Sequence, residues 1–359
     1  MRNPLRIAAV AVSLLSLNGC YYLHLARGEA GVLLRRQPIT QVLANPHADP
    51  ALKRRLRLVL RARAFASDRL DLPRNRSYTL YADIGRPFVM YNVFATPPLS
   101  LKPVEHCFPI AGCVAYRGYY EKARAETEAT RLRKAGDDVY IAGVPAYSTL
   151  GHFADPVLSS MLRWNNDELV GTVFHELAHQ KLYVKGDTAF NESFATFVQR
   201  EGLRAWHAAE HLPPPDPEAE CHQHRFTALI LATRSKLRTI YASDHDDAWK
   251  LRHKQAAFEA LRTRYHALRE GPWRHVPDYD NWMKQPLNNA TLLPFGLYDR
   301  FVPAFAALFA RARGDWPAFF REVEALSKLA PRARRARLKT LAGTASPRIG
   351  QDKHRQPHA

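Results

Sequence analysis

Residues 172–198 read TVFHELAHQKLYVKGDTAFNESFATFV, and no other stretch constrains the chain so tightly. His175 and His179 are four residues apart, so on a helix they project from one side, one turn apart. Two imidazoles at that spacing can share one zinc ion, and Glu176 beside the first is placed to take a proton from water. Upstream, Asn165 can cap the helix and Glu168, three residues on, completes a capping box. Leu169, Val170, Val173, Phe174 and Leu177 then form a broad apolar face, and the pattern predicts a helix running to about Tyr183. Lys185-Gly186-Asp187 predicts a turn, with Asp187 or Thr188 capping a second helix. Glu192 falls about one turn into that helix, where an antiparallel pair brings it opposite His179. A catalytic zinc takes a third protein ligand and keeps one position open for water, and Glu192 is the expected third ligand. The alternative is a solvated helix residue. The apolar neighbours Phe190, Phe194, Ala195 and Phe197 weigh against it.

The chain begins MRNPLRIAAVAVSLLSLNGCYY. Arg2 and Arg6 precede an apolar run over 7–17 that is too short to span a bilayer, as in an export signal. Leu17-Asn18-Gly19-Cys20 resembles a lipobox, although Asn18 departs from the usual small residue. That resemblance implies removal of residues 1–19 and lipidation of Cys20; a plain secretory signal or an uncleaved anchor is the alternative. Tyr21 follows where an Asp tends to retain lipoproteins at the inner membrane. The expected location is therefore the outer membrane, facing the periplasm. Export also changes what the formal charge of +18 means. It excludes nucleic acid as a partner and leaves anionic lipid head groups and other acidic envelope polymers. Cys107 and Cys113 bracket a short segment and are expected to form a disulfide in an oxidising compartment. Cys221 is then left as a free buried thiol, and the run Cys221-His222-Gln223-His224 reads as surface rather than as a second metal cluster.

The order of elements is helices, then sheet, then helices, an α+β arrangement. Residues 20–72 carry helical patterns. Residues 73–210 hold the zinc-site region, with strand-like SYTLYADIG, PFVMYNVFAT, CVAYRGYY and DDVYIAGVPAYSTLG, the last broken by Pro145, and a charged helix ending near Gly136. Residues 211–345 read as a helical C-terminal region opening with two long helices, and 346–359 as a basic tail.

HELAH with a downstream NE on the next helix resembles the gluzincin metallopeptidases. More closely, VFHELAHQKLYVKGDTAFNESFATFV, with CFPIAGCVAYRGYY and GVPAYSTLG before it, resembles a bacterial lipoprotein family labelled as aminopeptidases, from the lipobox to about Leu338. The resemblance implies a zincin-like fold with a small sheet packed on the HExxH helix. It also implies one zinc ion held by His175, His179 and Glu192, Glu176 as base, and a peptide or protein substrate. Three departures stand out. The spacing from His179 to Glu192 is short, Thr196 stands where such enzymes often carry an Asp that orients a zinc histidine, and the GAMEN motif of large aminopeptidases is absent.

Further roles are expected around this centre. Tyr298 is the first candidate for a second donor to the developing oxyanion, with Tyr147 and Tyr183 as alternatives. Ala146, Tyr147 and Ser148 are the candidate edge strand for pairing with substrate, or else an internal strand. Asp155 and Glu105 are weak candidates for holding a substrate amine. The competing functions are a zinc endopeptidase of the same fold, and a catalytically inactive zinc-binding lipoprotein acting through a partner.

Overall fold

The computed structural model describes residues 21–108, 112–276, 279–295 and 300–344. Cys20 and the signal segment, Tyr298 and the basic tail lie outside the described residues. The fold is α+β and about 60% helical.

The chain enters through α1 (21–34), a short strand β1 (Arg36–Pro38) and a short helix α2 (Ile39–Ala44). Helix α3 (Pro50–Arg69) starts where Asp49 accepts from the Ala51 amide and Pro50 takes the first turn, in which a proline has no hydrogen bond to lose. Two three-stranded sheets follow. In the first, β1 runs antiparallel to β2 (Leu80–Ala82), which pairs in parallel with β8 (Val157–Leu158). In the second, β3 (Met90–Thr96) lies antiparallel between β6 (Tyr116–Tyr119) and β7 (Asp138–Val144). Side chains of β3 alternate between its faces, as a pleated strand requires. Tyr91, Val93 and Ala95 pack with Ala125, Ala129 and Leu132 of α4 (Lys122–Lys134), while Phe94 meets Ala290 and Leu293 on the other side. The hairpin of β4 (His106–Phe108) and β5 (Gly112–Val114) carries the expected Cys107–Cys113 disulfide.

The strand reading of 146–148 is corrected. β7 ends at Val144, and Ala146, Tyr147 and Ser148 form irregular chain. Pro145 has no N–H for a ladder, and the hydroxyls beyond it bond locally instead. Ser148 Oγ and both the N–H and Oγ1 of Thr149 donate to the Asp155 carboxylate.

Helices α5 (Asn166–Lys181) and α6 (Thr188–Ala209) form the centre of the main core. Phe194 of α6 packs against Phe305 of α10 (Val302–Arg311) and Phe319 and Phe320 of α11 (Trp316–Ser327). Helix α12 (Pro331–Thr344) closes the same core with Leu338 and Leu341. The helical C-terminal region therefore has two parts. α7 (Pro217–Tyr241), α8 (Asp247–Glu270) and α9 (Asp280–Lys284) build a separate core around Phe226, Leu261, Tyr265 and Trp273. That unit docks on β7 through Asp138, which accepts from Lys254 Nζ at 2.6 Å and from the Asn289 amide at 2.9 Å. Cys221 is exposed at the start of α7 rather than buried, and unbridged.

One buried cation ties α3 to the loop before β2. Arg63, 5% exposed, donates to the carbonyls of Ser77, Pro73 and Asn75 and to Ser67 Oγ. Ser77 Oγ in turn accepts from the Asp155 amide and from Gln180 Nε2 of α5. Replacing Arg63 strands the buried Ser77 carbonyl and removes the donor to the part-buried carbonyls of Pro73 and Asn75, a cost that is largest for the buried group. Arg63→Met is expected to lower the free energy of unfolding by about 3 kcal/mol in urea titration, with an unchanged denaturant slope.

Candidate metal centre

The capping box forms as the sequence predicts. Asn165 Oδ1 accepts from the Glu168 amide at 2.8 Å, and Glu168 Oε2 accepts from the Asn165 amide at 3.1 Å. Helix α5 stops at Lys181, two residues short of expectation. The turn is held by a residue that the pattern did not single out. Asn191, fully buried, accepts from the Val184 amide and donates to the Val184 carbonyl, both at 2.8 Å. Gly186 sits in the left-handed region at φ +77°, a conformation that suits a residue without Cβ. Asp187 caps α6 by accepting from the Phe190 amide and is itself gripped by Arg334 of α12 at 2.8 Å. A hairpin clamped this firmly sets the angle at which Glu192 meets α5.

The three expected ligands converge. His175 Nε2 and His179 Nε2 lie 3.2 Å apart, and Glu192 Oε2 lies 3.4 Å from the first and 3.7 Å from the second. Among the described residues this is the one group of His, Cys, Asp and Glu with metal-binding geometry. A tetrahedral cation with bonds of about 2.0–2.1 Å holds its ligands about 3.3–3.4 Å apart, close to the three distances here. Without a shared cation, or a proton between each pair, three lone-pair donors at this spacing would repel. The residues therefore fit a metal ion.

Gln199 supplies a contact that sequence reasoning missed. Its Oε1 accepts from His175 Nδ1 at 3.0 Å, which leaves the lone pair on Nε2, the atom facing Glu192. Thr196 is not the partner; the carboxamide reaches His175 from one turn further along α6. The Nδ1 of His179, by contrast, is buried with no hydrogen-bond partner.

Electrostatics divide the two glutamates. Burial alone would raise Glu192, but hydrogen bonding and charge from His175 and His179 outweigh it and pull the carboxyl down to about 2. Glu176 goes the other way. Burial raises it, the two imidazoles oppose the rise, and the negative charges of Glu192 and Asp155 add to it. A permanently ionised ligand beside a carboxyl with raised proton affinity is the pairing that acid–base work needs.

The other expected residues are distributed differently. Tyr147 donates its hydroxyl to Glu29, so it is not free as an oxyanion donor. Asp155 accepts from Ser148, Thr149 and Gln180 and is saturated as a loop anchor, which removes it as an amine holder. Tyr183 is exposed, with its ring 6.3 Å from that of His179. Tyr116, on the edge strand β6, was not singled out by the sequence. It is partly open to solvent, and burial, followed by the charges of Glu192 and Tyr183, raises its hydroxyl. The main-chain groups of Ala146 and Tyr147 make no hydrogen bond among the described residues.

Residues 20–338 match a family model described as "Putative aminopeptidase". No curated protein and no solved structure matches the chain.

A protein whose folded state binds a metal is stabilised by mass action. Excess Zn(II) at about 100 times its Kd is expected to add roughly 2.7 kcal/mol to unfolding stability. In Glu192→Gln the gain should shrink, and in His179→Ala it should vanish, with calorimetry of metal-free and metal-loaded samples as the measurement.

Proposed function

The chain belongs to the aminopeptidase family whose model spans it, and on that premise we propose that it is a zinc-dependent metallopeptidase of gluzincin type on a zincin-like fold. The observation that carries this reading is the spacing of His175, His179 and Glu192 at tetrahedral distances beside Glu176. A purely structural zinc is closed by four protein ligands and needs no base. Three ligands with an adjacent carboxyl of raised proton affinity favour catalysis over the inactive-lipoprotein reading.

When bound, zinc polarises a water molecule and the scissile carbonyl. Glu176 takes the proton and passes it to the leaving amine. Tyr183 and Tyr116, whose hydroxyls both respond to the charge of Glu192, are offered as donors to the developing oxyanion, and Tyr298 remains the proposed donor from the C-terminal region. The unpaired main chain of Ala146 and Tyr147, with Ser148 beyond, offers an extended substrate an antiparallel partner without being part of a sheet.

The same reading includes cleavage of the export signal before Cys20 and attachment by lipid to the outer membrane, facing the periplasm. Among the described residues no helix is long and apolar enough to cross a membrane. The excess positive charge then meets anionic head groups rather than nucleic acid.

One observation favours an endopeptidase as the second reading. Asp155 is saturated by neighbouring donors and is not available for a substrate ammonium. Peptides with free and with acetylated N-termini separate the two. An aminopeptidase cleaves only the free form, one residue at a time; an endopeptidase cuts both internally.

Glu176→Gln is expected to lower kcat by about 10²–10⁴ while zinc stays bound at one ion per chain. Loss of zinc together with activity would point instead to damage of the site. Tyr116→Phe and Tyr183→Phe are expected to lower kcat, one of them by about 10²-fold, with little change in KM.

A further inference from the structure

The two histidines of the centre are supported unequally. His175 has a hydrogen-bond partner on its outer nitrogen, Gln199 Oε1 at 3.0 Å; the outer nitrogen of His179 has none and is buried. His179 is flanked by Tyr183 at a ring distance of 6.3 Å, and it lies 7% exposed. Packing can hold that ring in place. It cannot choose which nitrogen carries the proton.

A second, independent observation concerns the space Gln199 occupies. Gly171 lies one turn before His175 on α5. A Cβ placed there would come within 3.1 Å of Gln199 Cγ and 3.2 Å of Gln199 Nε2. In a helix interior glycine costs about 0.5–1 kcal/mol relative to alanine, so its position in a well-capped helix asks for a local reason. The reason visible here is the seat of the Gln199 side chain. Gly171 and Gln199 come from different helices and meet behind His175.

We propose that Gln199, seated in the gap left by Gly171, is the positioning residue of this metal centre: it holds His175 as the Nδ1–H tautomer and turns the Nε2 lone pair toward the shared cation. The inference rests on the metal-centre reading above. A carboxamide does this without adding charge. The centre has one anionic ligand, Glu192, with the Glu176 carboxyl next to His175. A neutral partner behind His175 orients the imidazole while leaving the net charge around the cation less negative than a carboxylate would make it. A less negative shell leaves the cation a stronger Lewis acid.

The test is Zn(II) affinity, measured by competition with a chromophoric chelator on the metal-free full chain, with the melting temperature of each metal-free variant as the control for folding. Gln199→Ala is expected to weaken binding by about 10–100-fold. Gln199→Glu keeps an acceptor at the same place and is expected to restore wild-type affinity or better, a rescue that a merely space-filling role would not produce. Gly171→Ala is expected to weaken binding in the wild-type background and to have no effect in the Gln199→Ala background. Wild-type affinity in Gln199→Ala would overturn the proposal. So would a Gln199→Glu variant as weak as Gln199→Ala, or a Gly171→Ala penalty of equal size in both backgrounds. If the wild type itself binds no Zn(II), the metal-centre reading fails and this inference fails with it; if only the variants behave alike, the inference alone is lost.

Discussion

Two imidazole nitrogens and a carboxylate oxygen, all lone-pair donors, lie 3.2–3.7 Å apart in a largely water-excluded place. That arrangement is unfavourable unless something positive stands between them. Much of the surrounding structure maintains it. Asn191 clasps the turn between α5 and α6, and Arg334 reaches from α12 to fix the cap of α6. The aromatic stack of Phe194, Phe305 and Phe319 presses α6 onto its support. Each of these contacts limits the freedom of Glu192 to swing away from the histidines.

A second set of contacts brings the loop before β8 to the same helix. Asp155 gathers the hydroxyls of Ser148 and Thr149 and the carboxamide of Gln180, the residue after His179. Gln180 and the Asp155 amide share Ser77 Oγ, and Arg63 holds the Ser77 carbonyl from α3. The segment 146–148 is therefore positioned by side-chain bonds rather than by a ladder. Its main chain at Ala146 and Tyr147 makes no hydrogen bond among the described residues. Tyr78 belongs to this set as well. It adopts φ +63° and is held by its amide to the Asp155 carbonyl at 2.7 Å, strain that the surrounding bonds offset.

The parts legible in the sequence were those governed by short-range rules. Helix periodicity placed His175 and His179 on one face, the capping box marked the start of α5, and Gly186-Asp187 marked the turn that returns Glu192. Charge alternation found α4 and the two long helices α7 and α8. What sequence reasoning missed depends on meetings between distant residues. Gln199 lies 24 positions from His175 and carries no motif, and only the crossing of α5 and α6 joins them. Tyr116 is set opposite Phe94 by the register of β6 on β3, which composition cannot set. Pro145 was legible as a break, but the residues beyond it, Ala146 to Ser148, do not resume a strand. A proline and two hydroxyl side chains were a stronger local signal than hydrophobic pattern. The exposure of Cys221 agrees with the surface reading of Cys221–His224 after the proline-rich loop and not with the buried-thiol reading. The split of the C-terminal helices into two cores could not be read from helix patterns alone, because each helix has an apolar face whichever partner it meets.

As proposed above, HELAH and NESFA hold one catalytic zinc with an open position. X-ray absorption at the zinc edge of the loaded protein tests it most directly. The expected spectrum shows nitrogen and oxygen ligands only, at about 2.0–2.1 Å, with the more distant scattering of two imidazoles and a total of four ligands. A sulfur scatterer at about 2.3 Å, a shell with more than two imidazoles, or no bound zinc at all would contradict it.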